Sequence, residues 1–389
     1  MFNHFIIKIF AKFIQLSGII FRKRRLPCDH QEIRRILINK TDRIGDAVVT
    51  LPLLLELNKV FDVTVFSSRY NDFFLKEFLH TEIAVDKPLE FSGVIRMLFR
   101  RFLFLFEKSK ETLPKYDMYL DLDGIKELNV FLKVKERKLC KYYVSFNMGI
   151  WNLFLQYSHP GYSVLFSRKH ILDSYKDLIK AALGVNVDIP DYIDLSSKMV
   201  PVEGFDRAGF ILVNIGGAEK FRGPSPDKYA EIINRLDFNG EIVVMDEIGR
   251  PHIEEFKKHI NKNNITYLNK DYSVWELLFI ASKSKLYVGA DSGITQLLQI
   301  PVNAFIFFGT GSPQVWKPYS KNVYVKKKIK GTIIEETRNS QGITKKIAYK
   351  PVWCRPCFDL GCRERRCLGF DVSLIVQEIE SMALSSCGS

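Results

Sequence analysis

Acidic residues are in short supply in this chain. Its 389 residues carry 44 Asp and Glu against 57 Lys and Arg, a formal net charge of +13. The excess is local, at Arg22–Arg25, Arg96–Arg101, Lys326–Lys330 and Arg363–Arg366. An imbalance of that sign favours an anionic partner. No nucleic-acid motif accompanies it, so lipid and nucleotide phosphates are better partners than nucleic acid. Low-complexity tracts and internal repeats are also missing, which argues against a disordered chain or a solenoid. Cysteine is scarce outside one cluster: Cys28, Cys140 and Cys387 stand apart from Cys354, Cys357, Cys362 and Cys367. No cleavable signal peptide is recognised. A secreted disulfide scaffold is thereby excluded, and a reducing, cytosolic compartment is expected.

What is present is a globular composition, 47% hydrophobic and 13% aromatic, over a length that suits two α/β domains better than one. Residues 2–21 place Phe2, Phe5, Ile6, Ile9, Phe10, Phe13, Leu16 and Ile20 near helical spacing, followed by Arg22–Arg25. Lys8 and Lys12 interrupt the run. That favours a helix lying in an anionic membrane surface over one that spans; packing on the protein's own surface fits the same spacing. The basic, aromatic stretch Phe91–Lys110 is a second candidate for touching membrane.

The chain then alternates apolar runs with polar turns. Ile36–Asn39 reads as a buried strand, Lys40–Asp46 as a loop, Ala47–Val60 as a helix with Pro52 in an early turn, and Val63–Phe66 as a strand. This is the opening of a doubly wound domain. Tyr116–Asp123 reads as a strand and His170–Leu183 as a helix stopped by Gly184. Asp188–Val202, with Pro190 and Pro201, reads as a linker. The rhythm resumes with a strand at Phe210–Ile215, a glycine-rich loop Gly216–Pro224, and a helix capped by Ser225. A strand at Glu241–Met245 and helices at Pro251–His259 and Ser273–Ser282 follow. Residues 321–351 read as a hairpin-type excursion and Asp371–Met382 as a final amphipathic helix.

The stretch 285–313 organises the second half. Lys285–Val288 reads as a buried strand, Gly289–Gly293 as a small polar turn opening a helix, Val302–Phe308 as a second buried strand, and Gly309–Pro313 as a loop. Parallel strands that end in small residues place a ligand site at their carboxyl edge. Backbone N–H groups at a helix start suit phosphate. The plainer alternative is that Asp291 and Ser292 cap a helix while Gly309 and Gly311 make a turn.

Several segments carry a resemblance, in one order across residues 35–384. Arg43-Ile-Gly-Asp-Ala-Val-Val-Thr-Leu-Pro52 resembles the opening motif of glycosyltransferase family nine, the lipopolysaccharide heptosyltransferases. Tyr116–Gly124, Asn214–Lys220 with Pro224 and Tyr229, Val288–Gly293, and Phe308–Pro313 with Trp316, Pro318 and Tyr319 are similar to further elements of that family. The spacing Cys354-x2-Cys357-x4-Cys362-x4-Cys367 resembles a tail found in many members. The resemblance implies a GT-B architecture, two Rossmann-like domains facing across a cleft. Residues 1–30 would be the membrane-surface segment, 31–195 the acceptor domain, 196–370 the nucleotide-sugar domain, and 371–389 a helix crossing back to the first domain. It also implies an inverting, metal-independent transfer of a heptose from an ADP-activated donor to a lipopolysaccharide-type acceptor, on the cytoplasmic face of the bacterial inner membrane. No cofactor is expected beyond the donor itself. A GT-B transferase using another nucleotide-sugar, or a binding relative without catalysis, are the alternatives.

The matching positions give roles. Asp46 is the expected base, since inverting transfer must deprotonate the acceptor hydroxyl; the alternative is a helix N-cap without chemistry. Lys220, assisted by Arg222, is expected to offset the leaving diphosphate. Gly216, Gly217, Ser292, Gly293, Gly309 and Thr310 are expected around the phosphates, with Asp291 holding its loop. Arg43 is a further candidate for an acidic acceptor group. Gln296, which stands where the family usually has His, is a further candidate for contacting the donor. After Pro251-His252 comes Ile253 and then Glu254, where an acid for the nucleotide ribose is common. The four tail cysteines fit either a structural zinc or plain, redox-labile thiols.

Overall fold

The computed structural model describes residues 32–85, 115–122, 128–146, 152–153, 155, 157–159, 169–216, 222–246, 251–268, 270–322, 325–352 and 365–385. The expectations for residues 1–30 and 91–110, for Gly217 and Lys220, and for Cys354, Cys357 and Cys362 fall outside them. Among the described residues no helix is long and apolar enough to cross a membrane. Two compact units divide the chain, one ending at Pro190 and the next beginning at Asp191.

The first unit contains β1 (Arg35–Asn39), α1 (Ile44–Asn58), β2 (Asp62–Ser68), α2 (Asp72–Leu75), β3 (His80–Val85), β4 (Tyr116–Asp121), α3 (Leu128–Glu136), β5 (Cys140–Phe146), β6 (Tyr157–His159) and α4 (Ile171–Leu183). The strands pair in parallel in the order β3-β2-β1-β4-β5-β6. Ile36, Leu37 and Ile38 are fully buried on both faces of β1. A run without alternation is what a central parallel strand requires. Ile36 sits opposite Val63 on one side and Met118 on the other.

Helix α1 begins three residues before its expected start, which sets Pro52 deeper inside it than the early turn expected. An interior proline costs about 3 kcal/mol in an exposed helix. Here Leu51, Leu53, Leu54 and Leu57 are fully buried, and their packing outweighs that cost. Helix α4 stops as expected at Gly184, whose φ of 66° is left-handed and whose N–H donates to the Lys180 carbonyl at 3.0 Å.

The second unit contains β7 (Ile211–Asn214), α5 (Pro226–Arg235), β8 (Ile242–Met245), α6 (His252–Lys257), β9 (Ile265–Tyr267), α7 (Val274–Lys283), β10 (Leu286–Ala290), α8 (Gly293–Leu298), β11 (Ala304–Phe308), α9 (Pro313–Trp316), β12 (Val325–Ile329), β13 (Thr332–Arg338), β14 (Thr344–Tyr349) and α10 (Val372–Ser385). Its sheet runs β12-β13-β14-β11-β10-β7-β8-β9. From β9 to β14 the pairs are parallel, and β14-β13-β12 are antiparallel. The basic excursion at 321–351 is therefore a meander whose last strand rejoins the parallel sheet beside β11.

Both units repeat one strand order, with the first strand between the second and the fourth. The order reverses at β1/β4 and again at β7/β10, and ligands of such sheets bind outside the carboxyl ends at that reversal. The last helix contributes to the core of the second unit. Ile375, Ile379 and Met382 of α10 join one core cluster with Phe307 and Ile334. Glu378 fastens it to β14 through Lys346 Nζ at 2.5 Å.

Candidate functional site

In the second unit the reversal point is built from small and hydroxyl-bearing groups. Asn214 closes β7; its Nδ2 donates to the Tyr287 hydroxyl at 3.2 Å, and its Oδ1 accepts from the Gly216 N–H at 3.0 Å. The Tyr287 hydroxyl lies 2.8 Å from Thr295 Oγ1, which lies 2.9 Å from Ser292 Oγ. Ser292 also accepts from the Thr295 N–H at 3.3 Å, so it caps α8 as an N-cap serine does. The capping alternative is thus correct for Ser292, and it is part of the site's construction. Burial pushes the Tyr287 phenol up to about 12, so it stays protonated as a link in this chain.

The loops after the strands are tied to one another. The Asp291 N–H donates to the Phe307 carbonyl at 2.9 Å, and the Gly309 N–H donates to the Arg222 carbonyl at 2.9 Å. A Cβ on Gly311 would meet the end of the Asp291 side chain, so the two loops approach closely here. Gln296 is buried. Its Nε2 donates to the Trp316 carbonyl at 2.9 Å and reaches Asp291 Oδ1 at 3.5 Å, while its Oε1 accepts from Gln299 at 3.0 Å. Both ends of that amide are occupied by the protein, so Gln296 braces two loops.

The structure therefore brings Gly216, Arg222, Asp291, Ser292, Gly293, Gln296, Gly309 and Thr310 to one sheet edge. Next to it lies a pocket of about 380 Å³, lined among others by Ile215, Gly216, Arg222, Tyr229, His252 and Ala290. A Cβ on Gly223 would strike that of Ala290, so this glycine lets the loop close over β10. Sequence reasoning missed Asp246. It follows the apolar strand β8 and its side chain is buried, with Oδ2 at 3.1 Å from His252 Nδ1. An acid ending an apolar strand was the signal available.

At the matching edge of the first unit the groups are charged and enclosed. Lys40 is fully buried, and its Nζ lies 2.6 Å from Asp42 Oδ2 and 3.5 Å from the Tyr175 hydroxyl. Asn71 Nδ2 donates to the carbonyls of Lys40 and Asp42, both at 2.8 Å. Asn39 Nδ2 donates to Asp121 Oδ1 at 3.1 Å, and Ser145 Oγ donates to Asp121 Oδ2 at 3.2 Å. Asp46 is the third residue of α1, while the N-cap position is held by Arg43. Asp46 is therefore not the N-cap of the plainer reading. Its side chain is half-buried, and among the described residues its carboxylate has no hydrogen-bond partner.

Two Rossmann-like units with this strand order define the GT-B class of fold, and solved transferases share it. The structure is similar to the ADP-heptose lipopolysaccharide heptosyltransferase II of E. coli, with a TM-score of 0.58, 10% identity and coverage of 91% of this chain and 99% of that one. It is similar to a family-nine glycosyltransferase from Veillonella parvula, with a TM-score of 0.51, 16% identity and coverage of 74% and 83%. It is also similar to the E. coli heptosyltransferase WaaC solved with ADP-2-deoxy-2-fluoro heptose, with a TM-score of 0.50, 17% identity and coverage of 74% and 91%. No family model and no curated protein matches the chain.

Proposed function

We propose that this protein is a glycosyltransferase that moves a heptose, or a related sugar, from an ADP-activated donor to a lipopolysaccharide-core or other lipid-linked acceptor. The observation that carries the reading is the pocket at the carboxyl edge of β7, beside a reversal point lined by Gly216, Ser292 and Thr295. Backbone N–H groups and hydroxyls there suit a diphosphate. The likeness to three solved transferases, one carrying an ADP-sugar analogue, supports the same reading.

In this reading Asp46 removes the acceptor proton as the hydroxyl attacks the anomeric carbon, and the product is inverted. Asp46 lies in the first turn of α1, at the carboxyl edge of β1. Lys220 and Arg222 offset the charge leaving with the diphosphate, and no metal takes part. The net charge of +13 suits an acceptor at an anionic membrane surface on the cytoplasmic side.

A thermal-shift screen of ADP-, UDP-, GDP- and CMP-sugars tests it, because a ligand bound only by the native state raises its stability. ADP-sugars are expected to give the largest shift. A larger shift with another nucleotide reassigns the donor, and no shift with any of them removes the transferase reading.

A further inference from the structure

Behind one wall of the pocket lies a group that the proposed transfer does not use. Asp246 follows β8, its side chain is 1% exposed, and one of its oxygens packs so closely on Gly216 that a Cβ there would collide with it. Its other oxygen lies 3.1 Å from Nδ1 of His252, off the straight hydrogen-bond line. His252 is the first residue of α6 and lines the pocket, with its side chain 18% exposed. The two nitrogens of an imidazole lie on different edges of the ring. With Nδ1 turned to Asp246, the Nε2 edge faces away from that carboxylate.

The position of the pair in the sheet adds a second argument. β8 neighbours β7 and is the second strand of its unit. At the carboxyl end of that strand, Rossmann units place the carboxylate that accepts a hydrogen bond from a nucleotide ribose. Here the carboxylate in that place is buried, and an imidazole stands between it and the pocket. Glu254, Glu255, Lys258, Arg222 and Arg365 are the other charged groups that line the pocket, and Glu254 is the rival for the same task.

We propose that His252 reads a ribose hydroxyl of the bound nucleotide through Nε2, and that Asp246 is the positioning residue that fixes its ring. The proposal rests on the nucleotide reading of the pocket but not on which base the nucleotide carries.

Side-chain amides separate the two edges of the ring, since Gln extends its amide to about where Nε2 lies and Asn only to where Nδ1 lies. Calorimetric titration with ADP, 2′-deoxy-ADP and 3′-deoxy-ADP is the experiment, on the full chain and on variants whose ligand-free melting matches it. The unmodified protein is expected to bind ADP about tenfold more tightly than one of the deoxy analogues, because a site built to bond a hydroxyl rejects the analogue that lacks it. His252→Gln keeps most of that preference, His252→Asn loses it, and Asp246→Asn reduces it. The proposal is overturned if the unmodified protein shows no preference, if His252→Asn keeps it while His252→Gln loses it, or if Glu254→Gln alone erases it. Each of those outcomes leaves the nucleotide reading standing. Failure of ADP, UDP and GDP all to bind removes that reading and this inference together.

Discussion

The two reversal points share a topology and differ in chemistry. Behind β1 the edge is closed by charges: Lys40 with Asp42, and Asp121 held by Asn39 and Ser145. At the carboxyl end of β7 the hydrogen-bonded chain is neutral, Asn214, Tyr287, Thr295 and Ser292, with the acids Asp291 and Asp246 beside it, and it borders a pocket. One strand order thus supports two kinds of edge. A buried ion pair holds a loop in a single shape, because each charge is costly without the other. A chain of neutral hydroxyls ties the turns together without an ion pair. The first arrangement suits the placing of one side chain, Asp46, at the start of α1. The second suits the holding of a ligand.

Four experiments break or sharpen this contrast. The largest effect is expected at Asp46. Asp46→Ala should lower the transfer rate by about 10²–10⁴-fold, the usual contribution of general-base catalysis. Donor binding and melting temperature should stay near those of the unmodified protein; near-normal turnover would assign the base elsewhere. Next is the buried pair. Asp42→Ala strands the Lys40 ammonium and should destabilise the first unit by about 3–5 kcal/mol in urea unfolding. Replacing both, Lys40→Met with Asp42→Leu, should recover most of that loss. Equal destabilisation by the double variant would mean that the charges contribute something beyond each other's neutralisation.

The neutral edge should respond more mildly. Ser292→Ala removes an N-cap hydroxyl and should cost about 1 kcal/mol. The shift produced by the best nucleotide-sugar should also shrink. A stability loss as large as that of Asp42→Ala would erase the contrast between the two edges.

The smallest effect concerns acid, and it belongs to β13. Burial opposes the charge of Glu335, but hydrogen bonds from Tyr349 and Lys317 outweigh it and hold the carboxyl below its ordinary range. The bonds measure 2.6 Å and 2.9 Å. A carboxylate with a lowered folded value stabilises fully above its unfolded value, and the contribution fades as pH falls through the folded one. Glu335→Gln should therefore flatten the acid limb of the stability profile and leave its slope above neutrality unchanged. An unaltered acid limb would show that this cluster makes no difference between the folded and unfolded chains.

Half of the first unit's elements and most of the second unit's could be read along the chain, since buried parallel strands announce themselves as apolar runs. The strands at Ile36, Val63, Ile211, Ile242, Leu286 and Ala304 are of this kind. Others were illegible for physical reasons. β5 mixes Lys141, Tyr142 and Ser145 with apolar residues, and β9 is only half-buried, so neither carries a clean period. The start of α1 at Ile44 was hidden because Arg43 makes no side-chain cap. Of the site, the small residues at 216, 292 and 309 were visible as turns. The bracing role of Gln296 was not, because its partner Trp316 lies twenty residues away.

The order of residues by itself settled that two rounds of strand, turn and helix would form, and where the polar turns would interrupt them. It did so because burial and turn geometry act on neighbours within a few positions. Only the tertiary structure decided that both sheets reverse direction beside their first strand, that Lys40 is enclosed with Asp42 and Tyr175, and that Asp246 stands behind His252. Those outcomes depend on which strands lie side by side, and strand pairing is a contest among distant segments that no local pattern can resolve.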